Sequence, residues 1–218
     1  KGVSHEDMVA TGLLVTGDDI PVSFDRFRDR VMFPITDFRG RIVAFGGRAL
    51  SADAQAKYLN SPETVLFKKG DLLYNGFEAR KSVNAAGTLV VVEGYVDVIS
   101  MAVAGFGHTV APLGTALTER QLEILWRLTP EPILCFDGDK AGLRAAYRAV
   151  DLALPALKPG RSVRFALLPE GQDPDDLIRQ QGRAAMAEIL AKPLPLVDMI
   201  WQREIEQGPL DTPERRAA

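Results

Sequence analysis

The chain has 218 residues, of which 46% are hydrophobic and 25% are charged, and its formal net charge is −3. This length and composition are typical of a globular protein with one large or two small domains. No apolar stretch approaches the roughly 20 residues of a membrane span, and the amino end has no signal-peptide pattern, so we expect a cytoplasmic protein fragment without a membrane partner. The single cysteine, Cys135, excludes an internal disulfide and a cysteine zinc site, so no zinc is expected.

Positive and negative charges are distributed unevenly along the chain. Residues 24–81 contain eleven Lys and Arg against seven Asp and Glu, whereas residues 88–218 contain fourteen against eighteen. A basic half joined to an acidic half suits a protein that holds a polyanion on one side and metal ions on the other. An excess this small is equally compatible with an ordinary solvated surface.

The first part of the chain predicts a small mixed α+β subdomain. Residues 29–38 and 41–47 have the apolar alternation of two strands, and Arg39-Gly40 between them predicts a hairpin. A turn signal follows at Asn60-Ser61-Pro62, and residues 71–85 have helical spacing.

From residue 88 onward, short apolar runs alternate with helical patterns. The four predicted strand and helix units are residues 88–92 and 95–104, 109–111 and 118–128, 132–136 and 141–154, and 162–168 and 174–181. Such alternation predicts an α/β fold with a mainly parallel sheet flanked by helices. Another helical patch follows residue 192, before a polar, Pro-containing end that we expect to be frayed.

Four carboxylates follow two of the predicted buried strands. Glu93 and Asp97 come after the first strand of this series, and Asp137 and Asp139 come after the third. Open α/β sheets place ligand sites at the carboxyl ends of their strands. If the two strands are neighbours, each close pair of charges repels by roughly 4 kcal/mol, so a cation should lie between them. Oxygen ligands without His or Cys favour Mg²⁺ or Mn²⁺ over zinc.

Two sets of motifs resemble known domains. Four motifs resemble the Toprim domain that primases and topoisomerases share: Glu93-Gly-Tyr-x-Asp97, Leu113-Gly-Thr115, Asp137-Gly-Asp139-x-Ala-Gly142 and Gly171-x-Asp173-Pro-Asp175. Three earlier segments resemble the amino-terminal subdomain of the bacterial replicative DNA primase core: Arg28-x-Arg30-Val-Met-Phe-Pro-Ile, Phe45-Gly-Gly-Arg48 and Lys57-Tyr-Leu-Asn-Ser-Pro-Glu-Thr64. The last segment points to primases rather than to the wider superfamily.

The resemblance implies an RNA polymerase core that copies a single-stranded DNA template into a short RNA primer from nucleoside triphosphates, with Mg²⁺ or Mn²⁺ as cofactor. It adds Asp173 and Asp175 as further metal or nucleotide contacts, and a guanosine tetraphosphate alarmone as a further ligand. Full primases of this type also carry an amino-terminal zinc-binding domain and a carboxyl-terminal domain that binds the replicative helicase. We expect both of these domains to be absent here.

The resemblance also assigns the parts of the chain. We expect residues 1–86 to be a basic amino-terminal subdomain that is truncated at its start, and residues 87–181 to be the Toprim catalytic domain. Residues 182–218 would begin a carboxyl-terminal helical subdomain.

The expected chemistry gives each acid a role. Joining two nucleotides requires a 3′-hydroxyl group to attack an α-phosphate while pyrophosphate leaves, and divalent metals assist both oxygens. Asp137 and Asp139 would face the cleft because the chain bends at Gly138, where a side chain would crowd a phosphate. Glu93 would complete the metal shell or act as an acid or base, and Asp97 would join directly or through water.

Helix capping is the competing explanation for some of these acids. Asp137 and Asp139 precede a predicted helix, where an Asp often caps the first turn. Asp173 is followed by Pro174 and two further acids, which is itself a good helix start. Capping and metal binding are compatible roles.

Basic and polar residues of the primase-like segments, together with one Lys beside the acids, are candidates for contacts with template or nucleotide phosphates. These candidates are Arg48, Lys57, Asn60, Lys68, Lys69 and Lys140. Lys and Arg neutralise phosphate without reading sequence, although simple solubility would also explain them. Tyr58 and Phe67 either stack on bases or pack in the subdomain core.

Three other classes of protein remain open. A Toprim nuclease or topoisomerase would use the same acids, but a topoisomerase also needs a nucleophilic tyrosine that nothing here identifies. A phosphatase of the haloacid dehalogenase type also has Asp-x-Asp after a strand, yet it would leave Glu93 without a role. A non-catalytic module that binds nucleotide or nucleic acid is the third alternative.

Overall fold

The structure is a computed structural model that describes residues 2–114 and 116–206. The helices are α1 (His5–Ala10), α2 (Gly76–Ala86), α3 (Tyr95–Val103), α4 (Glu119–Leu128), α5 (Lys140–Ala153), α6 (Pro174–Ala191) and α7 (Leu196–Glu206). The strands are β1 (Leu14–Val15), β2 (Phe24–Asp25), β3 (Arg30–Thr36), β4 (Ile42–Ala49), β5 (Tyr58–Asn60), β6 (Val90–Val91), β7 (Thr109–Val110), β8 (Ile133–Phe136), β9 (Arg164–Leu167) and β10 (Leu194–Pro195). In the described ranges, no helix combines the length and apolarity needed to cross a membrane.

The central sheet has five strands in the order β10-β9-β8-β6-β7. Strands β9, β8, β6 and β7 run parallel, and β10 adds an antiparallel edge. The predicted mainly parallel sheet flanked by helices is therefore confirmed. The sequence does not predict β10, because a strand of two residues that ends in Pro195 carries no periodic signal.

The strand order reverses between β6 and β8. From β6 the chain passes through α3 to β7 on one side, and then returns through α4 past β6 to β8. From β8 it continues through α5 to β9 on the other side. Neighbouring strands whose connections leave in opposite directions form a crevice at their carboxyl ends. The residues after Val91 and after Phe136 therefore lie beside one crevice.

Helices cover both faces of this sheet. Val91 and Leu134 belong to a core cluster with residues of α2, α4, α5 and α7, whereas Val90 and Cys135 belong to a cluster with residues of α3 and α6. Cys135 is 2% exposed, and burial raises the pKa of its thiol. This cysteine is a core residue, as its place in an apolar strand predicts.

A three-stranded antiparallel sheet, in the order β3-β4-β5, precedes the parallel one. Strands β3 and β4 form the predicted hairpin around Gly40, whose φ of 81° lies in the region that favours glycine. Strand β5 pairs with β4 so that Tyr58 lies opposite Arg48. Phe33 of β3 shares a core cluster with Tyr95 of α3. This cluster joins the small sheet to the parallel one.

Two helices begin or end at other residues than the sequence predicts. The helix expected over residues 71–85 begins only at Gly76, because the chain before it forms a 3-10 turn and an extended segment. The helix expected over residues 174–181 continues to Ala191, with a break at Gly182, where φ is 80°.

The last two described elements, β10 and α7, pack back onto the sheet. Strand β10 pairs with β9, and Leu196 and Met199 of α7 lie in the same core cluster as α4 and α5. The predicted helical patch after residue 192 is thus present, and the domain boundary at residue 181 stays a prediction. The polar end that we expected to be frayed, residues 207–218, lies outside the described residues.

Candidate active site

Glu93 and Asp137 lie side by side at the crevice. Val91 of β6 pairs with Leu134 of β8, so the two parallel strands end at the same edge of the sheet. The backbone N–H of Asp137 donates to Glu93 Oε1 at 3.4 Å. Two acids that are 44 residues apart in the chain therefore share one position in the fold.

Asp137 is surrounded by negative charge. Burial, together with the charges of Glu93, Asp97, Asp173 and Asp139, raises the pKa of Asp137 to about 7. Its Oδ1 atom is buried and has no hydrogen-bond partner among the described residues. A buried carboxylate oxygen without a partner costs free energy. A bound cation would supply the missing partner.

Asp97 shares this environment from the first turn of α3. Burial and the charge of Asp173 raise the pKa of Asp97 to about 6, and the charges of Glu93 and Asp175 add to the rise. The backbone N–H of Gly94 donates to the Asp97 carboxylate, and this hydrogen bond acts to lower the pKa. The site thus contains at least two acids that hold their protons more tightly than isolated carboxylic acids do.

Arg148 of α5 borders the same crevice. Burial and the charge of Asp139 raise the pKa of Glu93, whereas the Asp137 N–H and the charge of Arg148 oppose the rise. Glu93 and Arg148 both line a cavity of about 380 Å³ whose other walls are largely apolar. Sequence reasoning missed Arg148, because no local signal distinguishes it from Arg144 on the same helix.

Two glycines allow the Asp137 turn to pack against neighbouring backbone. A Cβ on Gly138 would lie 1.8 Å from the carbonyl oxygen of Pro169, and a Cβ on Gly142 would lie 2.2 Å from that of Asp137. The N–H of Gly138 also donates to the carbonyl oxygen of Gln172 at 3.0 Å. The Gly142 contact brings the start of α5 close to the Asp137 backbone, and the need for space beside a phosphate at Gly138 stays a prediction. Packing against the loop after β9 gives a reason for Gly138 that does not depend on a ligand.

Asp139 and Asp173 both cap helices, as the competing explanation predicts. Asp139 Oδ1 accepts from the N–H of Gly142 at 2.6 Å at the start of α5, and Asp173 Oδ1 accepts from the N–H of Asp176 at 2.7 Å at the start of α6. Each cap uses one carboxylate oxygen. The second oxygen of each carboxylate leaves room for another role.

Asp175 connects two helices beside the acids. Its Oδ1 accepts from Ser100 Oγ of α3 at 2.5 Å, and its Oδ2 lies 3.7 Å from Arg179. Ser100 was not among the candidates, because nothing in the sequence indicates that α3 and α6 pack together. The contact fixes Asp175 at the edge of the acidic cluster, near enough to contribute to the raised pKa of Asp97.

Among the described residues, the acids gather without forming a closed metal shell. Over residues 2–114 and 116–206, no three His, Cys, Asp or Glu side chains are arranged as a metal-binding group. Mg²⁺ usually keeps several water ligands and takes only one or two carboxylates from the protein. The carboxylates that gather here offer oxygen ligands, which hard divalent cations prefer.

A cationic face lies on the small sheet. The Arg48 guanidinium group and the Lys57 ammonium group each lie 5.9 Å from the centre of the Tyr58 ring, which is 42% exposed. Stacking of a base on Tyr58 stays a prediction. Asn60, at the end of the same strand, accepts from the Tyr95 hydroxyl group at 2.7 Å. The small sheet thus contacts the helix that carries Asp97.

The remaining basic candidates lie outside the cationic face. The backbone N–H of Lys69 donates to Glu63 Oε1 at 2.9 Å, and exposed Lys68 precedes it. Lys140 is exposed at the first position of α5, directly after Asp139.

Phe67 is 0% exposed, so base stacking is wrong for this residue and packing is correct. Thr115, part of one quoted motif, lies outside the described residues.

Comparisons with known proteins agree with this geometry. Residues 1–80 match the family model "DNA primase catalytic core, N-terminal domain", and residues 90–178 match the model "Toprim-like". A curated DNA primase of Pseudomonas aeruginosa is 49% identical over 96% of this chain and 32% of that protein. The chain therefore spans about a third of the length of this curated relative.

Two solved structures are also similar. The DnaG primase catalytic domain bound to single-stranded DNA is 45% identical, with a TM-score of 0.89 over 97% of this chain and 66% of that one. The RNA polymerase domain of Mycobacterium tuberculosis primase DnaG is 34% identical, with a TM-score of 0.83 over 99% of this chain and 70% of that one. The chain therefore belongs to the DnaG family of DNA primases, with an amino-terminal catalytic-core part followed by a Toprim-like part.

Proposed function

We propose that this chain is the nucleotidyl-transfer core of a DNA primase, a DNA-directed RNA polymerase that makes short RNA primers on single-stranded DNA. The observation that carries the proposal is the contact between Glu93 and Asp137 at the crevice, with Asp97 and Asp139 close by. The relatives described above are primases, and one of them binds single-stranded DNA. Their activity supports the same activity here.

Three acids would hold the divalent metal directly: Glu93, Asp137 and Asp139. Three further acids would contact the metal through water or add negative charge around it: Asp97, Asp173 and Asp175. The unpartnered Oδ1 of Asp137 and the all-oxygen donor set support Mg²⁺ or Mn²⁺. When bound, such an ion would lower the pKa of the primer 3′-hydroxyl group and stabilise the leaving oxygens. Glu93, whose pKa is raised, could also accept the hydroxyl proton.

Arg48 and Lys57 would bind phosphates of the template or of the incoming nucleoside triphosphate. Asn60 would donate from its amide, and Lys68, Lys69 and Lys140 would add positive charge. Contacts of this kind neutralise phosphate without reading bases, so binding should weaken as salt rises. Guanosine tetraphosphate carries the same phosphate chemistry and would compete for this cleft. The expected contact with the replicative helicase stays a prediction about the rest of the protein.

De novo RNA synthesis tests the proposal. The full-length protein, a single-stranded template, nucleoside triphosphates and Mg²⁺ should give short RNA products, and Asp137→Asn should reduce their rate by about 100-fold or more. Asp53→Asn, which changes an exposed acid in the loop between β4 and β5, is the matched control and should leave the rate unchanged. Cleavage of the template without synthesis would favour the nuclease alternative. Binding without any turnover would favour the non-catalytic module.

A further inference from the structure

The Tyr95 hydroxyl group fixes one orientation of the Asn60 side chain. It donates to Asn60 Oδ1 at 2.7 Å. Because the amide oxygen faces Tyr95, the amide NH₂ group faces the other way. A Cβ on Gly114 would lie 2.5 Å from Asn60 Nδ2, which places this NH₂ group beside the loop that follows β7.

The Tyr95 ring is itself held on three sides. It stacks on Phe33 with ring centres 5.0 Å apart and meets the edge of Tyr74 at 4.7 Å. The backbone of Gly46 lies directly against it, since a Cβ there would be 2.7 Å from Tyr95 Cζ. The ring is only 6% exposed. Its hydroxyl group therefore has little freedom to leave Asn60.

Tyr95 also occupies a particular place in the chain. It is the first residue of α3, between Glu93 and Asp97 in sequence. Asn60 ends the strand that begins with Tyr58 beside Lys57. One side chain thus connects the turn that carries the acids to the strand that directly follows Lys57.

We propose that Tyr95 is a positioning residue, whose hydroxyl group orients the Asn60 amide so that its NH₂ group is presented to the nucleotide in the cleft. This inference rests on the proposed function, because it takes Asn60 as a nucleotide contact. The ring of Tyr95 holds the two sheets together, whereas the hydroxyl group acts on substrate binding through Asn60.

The Tyr95→Phe variant separates these two roles, because Phe keeps the ring and removes only the hydroxyl group. Initial rates of primer synthesis by the full-length protein should give a KM for nucleoside triphosphate that is about five-fold higher, the effect of roughly one hydrogen bond. The kcat should change less than about two-fold, since the acids are not altered. The matched control is Tyr74→Phe, which removes a hydroxyl group from the same aromatic cluster without touching the Tyr95–Asn60 bond, and its KM should not change.

A double variant tests whether the effect passes through Asn60. Adding Tyr95→Phe to Asn60→Ala should leave the KM of Asn60→Ala unchanged. An unchanged KM in Tyr95→Phe, an equal rise in Tyr74→Phe, or additive effects in the double variant would each overturn the inference, as would a lower Tm without a change in KM. If the wild-type protein makes no RNA, the proposed function fails instead. Calorimetry of ATP binding then tests Tyr95 independently. ATP should bind more weakly to Tyr95→Phe than to the wild type or to Tyr74→Phe.

Discussion

The Asp137 N–H group donates to Glu93 Oε1, although the two residues are 44 positions apart in the chain and follow different strands of the parallel sheet. This contact brings the two carboxylates to one place, where partial burial and mutual repulsion disfavour their charged forms. The raised pKa values of Asp137 and Glu93 are the direct consequence. The cation-free protein should therefore be less stable than its packing alone would allow.

Asp137→Asn should stabilise the cation-free protein at alkaline pH. Asp137 has a pKa of about 7 in the fold against 3.8 for a free side chain, so the folded state holds this proton more tightly than the unfolded chain. This tighter proton binding stabilises the folded state. The stabilisation is complete below pH 3.8 and is lost as pH rises through about 7. Since Asn cannot ionise, the variant should be more stable than wild type at pH 8 by about 1–2 kcal/mol, after allowance for solvent screening.

The measurement is urea unfolding in the presence of EDTA at several pH values. The advantage of Asp137→Asn should shrink as pH falls toward 5, and Asp53→Asn should show no comparable trend. Equal stability of wild type and Asp137→Asn at pH 8 would mean that the acids do not repel one another in the fold.

Divalent metal should reverse this order of stability. A ligand that binds only the folded state stabilises it by RT ln(1 + [L]/Kd), so Mg²⁺ or Mn²⁺ should raise the Tm of the wild-type protein at pH 8. The rise should be lost in Asp137→Asn and kept in Asp53→Asn. Thermal unfolding with and without EDTA measures it, and an equal rise in all three proteins would place the metal elsewhere.

The elements that carry the acids could be predicted from the sequence, whereas several contacts around them could not. Buried parallel strands are continuous apolar runs, so β6 and β8 were recognisable, and the acids after Val92 and Phe136 were visible with them. The bonds from Ser100 to Asp175 and from Tyr95 to Asn60 depend on how separate helices and sheets pack. No local pattern encodes such packing. Strand β5 lies in a polar segment and prolines interrupt β10, so neither has the continuous apolar run that marks β6.

Gly138→Ala should destabilise the whole chain. A methyl group at this position would lie 1.8 Å from the carbonyl oxygen of Pro169, and backbone cannot move away as easily as a flexible side chain. We expect a loss of at least about 2–3 kcal/mol. The matched control is Gly70→Ala, whose methyl group would meet Thr118 at an ordinary distance of 3.6 Å. Urea unfolding that gives equal losses for both variants would refute the role assigned to the Pro169 contact.

Lys57→Ala should weaken binding of single-stranded DNA or of nucleoside triphosphate in a manner that depends on salt. Lys57 lies on the cationic face beside Tyr58, and removing one phosphate contact should lower the slope of log affinity against log salt by about 1. Lys81→Ala is the control, because Lys81 pairs with Glu78 on α2. Fluorescence anisotropy with a short labelled oligonucleotide, and competition by ATP, measure both effects. Identical slopes for the two variants would assign the phosphate contact to other cations.

Asp139 has two roles to separate, because its Oδ1 caps α5 through the N–H of Gly142. Asn is as good a cap as Asp, whereas Ala removes the cap at a cost of about 1 kcal/mol. Asp139→Asn should therefore keep the stability of the fold in EDTA but lose most primer synthesis, because an amide oxygen carries no charge for a divalent ion. Asp139→Ala should lose both. If Asp139→Asn makes primers at the wild-type rate while Asp139→Ala is only less stable, the carboxylate serves the helix alone, and the metal must depend on Glu93 and Asp137.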